Sequence, residues 1–259
     1  MKLSVASARC LLRAYSTVSK HRVDMINSAL KAEVVLSESN RKACIKRFRS
    51  MQFPKVRDKD IPEAAILIPL CSYKGELGLL YTLRSIKLRS GGGQASFPGG
   101  MHDKSDADLQ ETALRETWEE LKIPKEKIDV WTTGNLIGKT NVNVMPVLAY
   151  IGEVVPEQLE INHDEVDEAF VISLQKLCDP ELCSFTYFRM FNITLPNYLG
   201  GKYRIWGFTG AITHFVLECL VPEVYKNKIL NVQPLRKDMR GEMTETKRTF
   251  EQDATRSKL

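Results

Sequence analysis

The chain lacks an apolar run long enough to cross a bilayer. Its most apolar stretches, Ala64–Leu70 and Ala211–Val221, fall short of the roughly 18 to 20 residues a span requires. His214 and Glu218 also interrupt the second, so no membrane span is expected. Cysteine is sparse: six residues, at 10, 44, 71, 178, 183 and 219, form no CxxC pair. Only Cys178 and Cys183 lie close together, and no nearby histidine completes a zinc site. Free, buried thiols are the expectation. No internal repeat is present either, which excludes a solenoid.

Excess positive charge is missing everywhere except at the start. Residues 1–23 hold Lys2, Arg9, Arg13, Lys20 and Arg22 and no acid, and without those five cations 32 basic residues face 32 acidic ones. A balanced remainder offers no basic footprint, so no nucleic-acid partner is expected. At 43% hydrophobic residues, the composition is that of a globular chain rather than a disordered one.

Both ends read as addresses. The acid-free start mixes basic residues with Ser4, Ser7, Ser16, Thr17 and Ser19, the composition of a mitochondrial transit peptide, and no apolar core of about 7 residues supports a secretory signal. The chain ends in Ser257-Lys258-Leu259, the tripeptide read by the peroxisomal import receptor. Met25 follows the basic leader directly. Initiation there would remove one address and keep the other, so peroxisome, mitochondrion or both are expected.

Between the ends the pattern is α+β around a single core. Ile26–Phe48 reads as a helix with a basic face, and Lys55–Asp60 as a charged connector between Pro54 and Pro62. Ala64–Leu70 and Leu77–Leu83 read as a hairpin whose turn is Cys71–Glu76. Asp106–Leu121 is the clearest helix, with Ser105 or Asp106 as its cap and Leu114, Trp118 and Leu121 as its apolar stripe. Trp131–Ile137, Val144–Ile151 and Ala169–Leu174 read as strands, and Ile205–Val221 as a last strand or helix. Residues 1–24 are thus a leader, 25–59 a helix and connector, 60–233 the domain that holds the core and 234–259 a charged tail.

The chemistry lies in Arg115-Glu116-Thr117-Trp118-Glu119-Glu120. At about 100° per residue, Glu119 and Glu120 flank Glu116, so three carboxylates share one helix face. Such crowding raises carboxylate pKa values unless a cation compensates, and a hard divalent ion, which takes carboxylate oxygens together with substrate phosphates, does so. Arg115, four residues from both Glu111 and Glu119, can tie the acids from the side. Alone, this string also describes a solvated acidic face. The context changes that reading, because Phe97-Pro98-Gly99-Gly100 precedes the helix and glycines let backbone approach a ligand closely.

The run Gly100–Ile123 resembles the Nudix box, through Gly100, Asp106, Arg115-Glu116, Glu119 and Glu120. Asp106 replaces the usual Glu with one extra residue before Arg115, and Lys122 replaces the usual Gly. A non-Gly residue there can turn left-handed at a cost of about 1 kcal/mol. Upstream, Thr82, Arg84, Ser85, Arg89, Gly93 and Phe97–Gly100 are spaced as in the coenzyme A diphosphatase group, with Tyr81 as a departure from the usual Leu. Ile205–Ala211 resembles that group's late segment.

This resemblance implies a Nudix-type α/β/α sandwich with a mixed β-sheet. It also implies hydrolysis of coenzyme A or its acyl derivatives to 3′,5′-ADP and 4′-phosphopantetheine or acyl-phosphopantetheine. Mg²⁺ or Mn²⁺ would be held by Glu116 and Glu120 with Glu119. Glu119, Glu120 and Arg115 are the candidate catalytic residues, and Glu165 or Glu168 are alternative general bases. Gly99 and Gly100 are candidates for substrate contact. Arg84 and Arg89 either contact substrate phosphate or brace their loop. Another Nudix substrate (NADH, ADP-ribose or a dinucleoside polyphosphate) is the nearest alternative. A silent coenzyme A-binding module is a further one, although every box carboxylate is present. The substrate pocket is expected to draw on loops that include Leu182–Leu199.

Overall fold

A computed structural model describes residues 26–53, 61–189 and 193–226. The leader, the connector Lys55–Asp60 and the charged tail, with Ser257–Leu259, lie outside the described residues.

The expected first helix, Ile26–Phe48, is broken. A short turn of helix, α1 (Ala32–Val35), precedes α2 (Glu38–Ser50). Ser37 interrupts them: its Oγ accepts a hydrogen bond from Asn40 N–H, the capping geometry that starts a new helix.

The hairpin is longer and tighter than expected. Strand β1 (Glu63–Tyr73) and β2 (Glu76–Arg84) meet at a two-residue turn, Lys74-Gly75, with φ of 51° and 80°. Two successive left-handed residues match the twist of paired strands, and Gly75 makes that geometry cheap. Cys71–Tyr73 is therefore strand.

β1 and β2 pair only at their turn end, over Leu70–Tyr73 and Glu76–Leu79. Beyond that they splay, and the gap is filled by β3 (Ala95–Ser96) against β2 and β4 (Gly99–Met101) against β1. Leu67 N–H donates 2.9 Å to the Pro98 carbonyl between them. Thus the Phe97–Gly100 loop is wedged into the sheet.

Helix α3 (Leu109–Leu121) follows that wedge. The segment expected as one strand, Trp131–Ile137, divides into β5 (Asp129–Thr133) and β6 (Ile137–Lys139), which line up along one edge of β7 (Val142–Glu153). β7 runs parallel to β1, and β8 (Val166–Ser173) is antiparallel to β2. The result is a mixed eight-stranded sheet with the main order β3-β2-β1-β7-β5. A short helix, α4 (Leu174–Cys178), continues β8. The hairpin β9 (Cys183–Phe188) and β10 (Ile193–Tyr198) occupies the segment read as loop, and Ile205–Val221 resolves into helix α5 (Gly207–Leu220).

Strand alternation divides the core into two layers. Ala65, Leu67, Leu80, Val147 and Ala149 face Ala113, Leu114 and Leu121 of α3. Ile68, Leu70, Leu79, Tyr81 and Leu148 face Cys44 and Phe48 of α2 and Ile212, Val216 and Leu217 of α5. Helices on both faces of a mixed sheet give the expected α/β/α sandwich. Trp118 does not belong to the buried stripe: it is 46% exposed, with Lys122 Nζ 5.4 Å from its ring centroid. Ala113, Leu114, Thr117 and Leu121 form the buried face instead. Cys44, Cys71, Cys178 and Cys219 are free and buried, and burial pushes their thiols up to about 12.

Candidate active site

The site is assembled where α3 crosses the wedged loop. The helix is capped by Asp108, whose Oδ1 accepts from Glu111 N–H at 2.8 Å. Neither Ser105 nor Asp106 is the N-cap. Asp106 is buried and anchors Arg115 instead. Its Oδ1 and Oδ2 accept from Arg115 Nε at 2.8 Å and Nη2 at 3.0 Å, and Oδ2 also from Thr112 Oγ1 and Asp103 N–H. The Arg115 guanidinium holds this carboxyl well below the usual carboxylate range.

Arg115 uses its remaining donors on the other acids. Nη1 reaches Glu116 Oε1 and Glu119 Oε2, both at 3.0 Å, and Nη2 reaches the Met101 carbonyl at 3.1 Å. Its expected contact with Glu111 is not made, since Glu111 lies 3.7 Å from Lys125 Nζ. Arg115 therefore joins loop, helix and two carboxylates. The helix ends at Lys122 with φ of 52°, left-handed as anticipated for a non-Gly residue there, its N–H bonded to the Trp118 carbonyl.

Gly99 and Gly100 make the space for the acids. A Cβ on Gly99 would overlap the Ala65 carbonyl oxygen, and its φ of 148° further disfavours a side chain. A Cβ on Gly100 would meet the Glu116 carboxylate, 2.5 Å from Cδ. The Glu116 carboxylate thus packs directly on glycine backbone. Burial raises the pKa of Glu116 despite the adjacent Arg115. Burial also pushes Glu120 up to about 8; Arg84 and a Gly99 N–H bond oppose that rise, while the charges of Glu116 and Glu165 add to it. Glu120 Oε2 is buried with no hydrogen-bond partner.

The charges of Glu116, Glu165 and Arg84 thus all act on Glu120. Glu119 is turned toward Arg115. Glu168 is directed elsewhere, its carboxylate held by Lys202 Nζ at 2.7 and 2.8 Å and by Tyr203 Oη at 2.8 Å. Arg89 lies exposed on the 85–93 loop, and no contact ties it to the carboxylates. Arg84 is held by that loop, its N–H on the Gln94 carbonyl and its carbonyl on Gly93 N–H.

Sequence reasoning missed what clamps Glu165. Its carbonyl accepts from Ser85 N–H at 2.8 Å, Ile86 N–H donates to Asp167 Oδ2 at 3.2 Å, and Lys87 pairs with Asp164 at 3.1 Å. It also missed Thr112, whose hydroxyl bonds to Asp106 and lies 2.9 Å from His102 Nδ1. The opposite charges of Lys87 and of Asp164, Glu165 and Asp167 are a faint signal for the first, and nothing in the pattern marks the second.

Among the described residues no three His, Cys, Asp or Glu side chains form a ready metal cage. Two carboxylates, one carrying an orphaned buried oxygen, in a glycine-lined cradle nevertheless fit a hard divalent cation. Mg²⁺ in particular binds through one or two carboxylates plus substrate phosphates. An unpartnered buried oxygen on a carboxyl whose pKa burial raises is the state expected of a ligand awaiting its cation.

A glycine wedge leading into a helix of clustered acids, on a mixed sheet between helices, defines a class of hydrolase. Residues 61–188 match the NUDIX domain family, and the chain belongs to the Nudix hydrolases. Mitochondrial coenzyme A diphosphatase NUDT8 of Homo sapiens is 42% identical to it over 171 residues, covering 64% of this chain and 72% of that protein. Nudix hydrolase 3 of Caenorhabditis elegans is 36% identical over 197 residues, covering 68% and 80%. Peroxisomal coenzyme A diphosphatase NUDT7 of Mus musculus is 34% identical over 121 residues, covering 46% and 50%.

Proposed function

We propose that this Nudix hydrolase cleaves the pyrophosphate of coenzyme A and its acyl derivatives, releasing 3′,5′-ADP and 4′-phosphopantetheine or its acyl form. The observation that carries the chemistry is the unpartnered Glu120 oxygen beside Glu116 in the Gly99–Gly100 cradle. The relatives named as coenzyme A diphosphatases support the substrate.

Glu116 and Glu120 would hold Mg²⁺ or Mn²⁺, which when bound neutralises charge on the pyrophosphate oxygens. Arg115 keeps Glu116 and Glu119 aimed, through its own anchorage on Asp106. Arg84, its backbone fixed by the loop, offers a guanidinium to a phosphate beside Glu120. The charge of Glu165 acts on both Glu116 and Glu120, so it is our choice of general base for the attacking water. Glu168, engaged by Lys202 and Tyr203, is not. Water adds to one phosphorus, the anhydride P–O bond breaks, and the other phosphate leaves with the bridging oxygen.

Mitochondrial or peroxisomal residence belongs to the same proposal, supported by the organelles in the relatives' names. Import through Ser257, Lys258 and Leu259 would place the enzyme with its substrate.

Mass spectrometry of products formed from coenzyme A in ¹⁸O-water tests the reaction. The label is expected in one of the two phosphate products and never in both. Release of adenine or of a thiol without phosphorus labelling would overturn it.

A further inference from the structure

Two cations, one of them acting on Glu120, have no ion-pair partner among the described residues. Arg84 and Lys139 form no ion pair with any described residue. Three elements distant in sequence bring them to one patch. Leu83, next to Arg84, pairs with Ala95 of β3. The Ala95 carbonyl accepts 3.1 Å from Thr209 Oγ1 in the first turn of α5. Phe208, beside Thr209, carries Lys139 Nζ over its ring at 5.2 Å from the centroid.

The electrostatics order the patch. Partial desolvation and then the Arg84 charge lower the pKa of Lys139, and Arg84 also acts on Glu120. No carboxylate offsets the shift at Lys139. Arg84 thus serves both the carboxylate pocket and the outer cation. Lys139 has no carboxylate to set against the Arg84 charge, so an anion arriving between the two cations is favoured, which marks a binding site rather than a structural pair.

Resting on the coenzyme A reading above, we propose that Lys139, together with Arg84, binds the substrate phosphate that is not cut, the 3′-phosphate of the nucleotide half. The scissile pyrophosphate belongs at Glu116 and Glu120, within reach of Arg84. A second phosphate on the same nucleotide then meets the cation on the outer side, Lys139. A lysine ammonium suits a terminal monoester as a point charge, and the Phe208 face keeps it in place. ADP-ribose and NADH carry no such phosphate, so Lys139 would set the choice of substrate.

The test compares wild type, Lys139→Gln and Lys139→Arg. Calorimetry gives the Kd of 3′,5′-ADP and 5′-AMP, and kinetics give the KM of coenzyme A and 3′-dephospho-coenzyme A. Wild type should prefer 3′,5′-ADP by about tenfold or more, the Gln variant by no more than about twofold, and the Arg variant should regain the preference. The KM ratio should shift in parallel. An unchanged preference in Lys139→Gln, or none in wild type, overturns the proposal. Failure of wild type to cleave coenzyme A would overturn the function above, while the nucleotide-binding comparison would still decide the role of Lys139.

Discussion

The carboxylate of Glu116 occupies the space that a side chain on Gly100 would fill, with Oε2 2.6 Å from the position of that Cβ. Gly100→Ala should therefore push Glu116 off its place while leaving backbone geometry undisturbed, because Gly100 has no left-handed φ. A displacement of this order costs on the order of 100-fold in turnover. The check is kcat alongside a thermal melt, and a near-normal kcat would show that Glu116 need not lie on the loop.

Glu120→Gln keeps the shape of a buried side chain and removes its charge. Turnover should fall by about 100-fold or more, as for a group acting in a unit. Stability should respond in the opposite sense. A carboxyl pushed from about 4.5 to about 8 by burial releases its proton more readily in the unfolded chain. Rising pH across that window therefore destabilises the metal-free wild type. The Gln variant escapes this loss, so its stability advantage should grow from pH 4.5 to 8 in denaturant titrations. Added Mg²⁺ should raise the wild-type melting temperature and leave that of the variant unchanged.

Arg115→Ala strands Asp106, whose side chain is only 2% exposed, without its cation. Removing one partner of such a buried pair costs about 3 to 5 kcal/mol. The Asp106 carboxyl is held below its usual range, so the pair's contribution is present above the unfolded carboxylate pKa and is lost as pH falls through the folded value. The stability deficit of the variant should be full at pH 7 and shrink below about pH 4. Urea unfolding at both pH values reads this directly.

His214 predicts a second acid-sensitive feature, remote from the chemistry. It is buried in α5 with Nδ1 2.8 Å from Tyr225 Oη, and burial pushes it down from 6.5 to about 4. The unfolded chain takes up the proton first, so stability should fall as pH drops from 6.5 to 4, by at most about 1.4 kcal/mol per pH unit. His214→Phe should remove that slope. A slope that persists in the variant would assign it to other groups.

The sequence made the helix, the hairpin and the acid cluster legible because each follows from local periodicity or spacing. The α3 cap was misplaced for a physical reason. Asp106, Asp108 and Ser105 are all competent capping residues, and only the tertiary contact of Asp106 with Arg115 and Thr112 decides among them. Trp118 looked like core by spacing, but Ala113 and Thr117 are small enough to bring α3 close to the sheet, which leaves the indole outside. Glu165 and Glu168 were equivalent in sequence. A bulge between Leu83 and Arg84 in the β2–β8 pairing and the Ser85 and Lys87 contacts set Glu165 on the site side, while Lys202 and Tyr203, over thirty residues on, draw Glu168 away. Lys139 had no neighbour in sequence to mark it, because its meaning comes from Arg84 and Phe208.

The central claim is hydrolysis of coenzyme A at the Glu116–Glu120 pocket. The most direct measurement is kcat/KM with Mg²⁺ for coenzyme A, ADP-ribose and NADH in parallel, each with the Glu120→Gln protein as control. Coenzyme A should be preferred by at least about 100-fold and its cleavage lowered by about 100-fold or more in the control. Turnover of ADP-ribose or NADH with coenzyme A left intact, or cleavage of coenzyme A that stays near the wild-type rate in Glu120→Gln, would contradict the account.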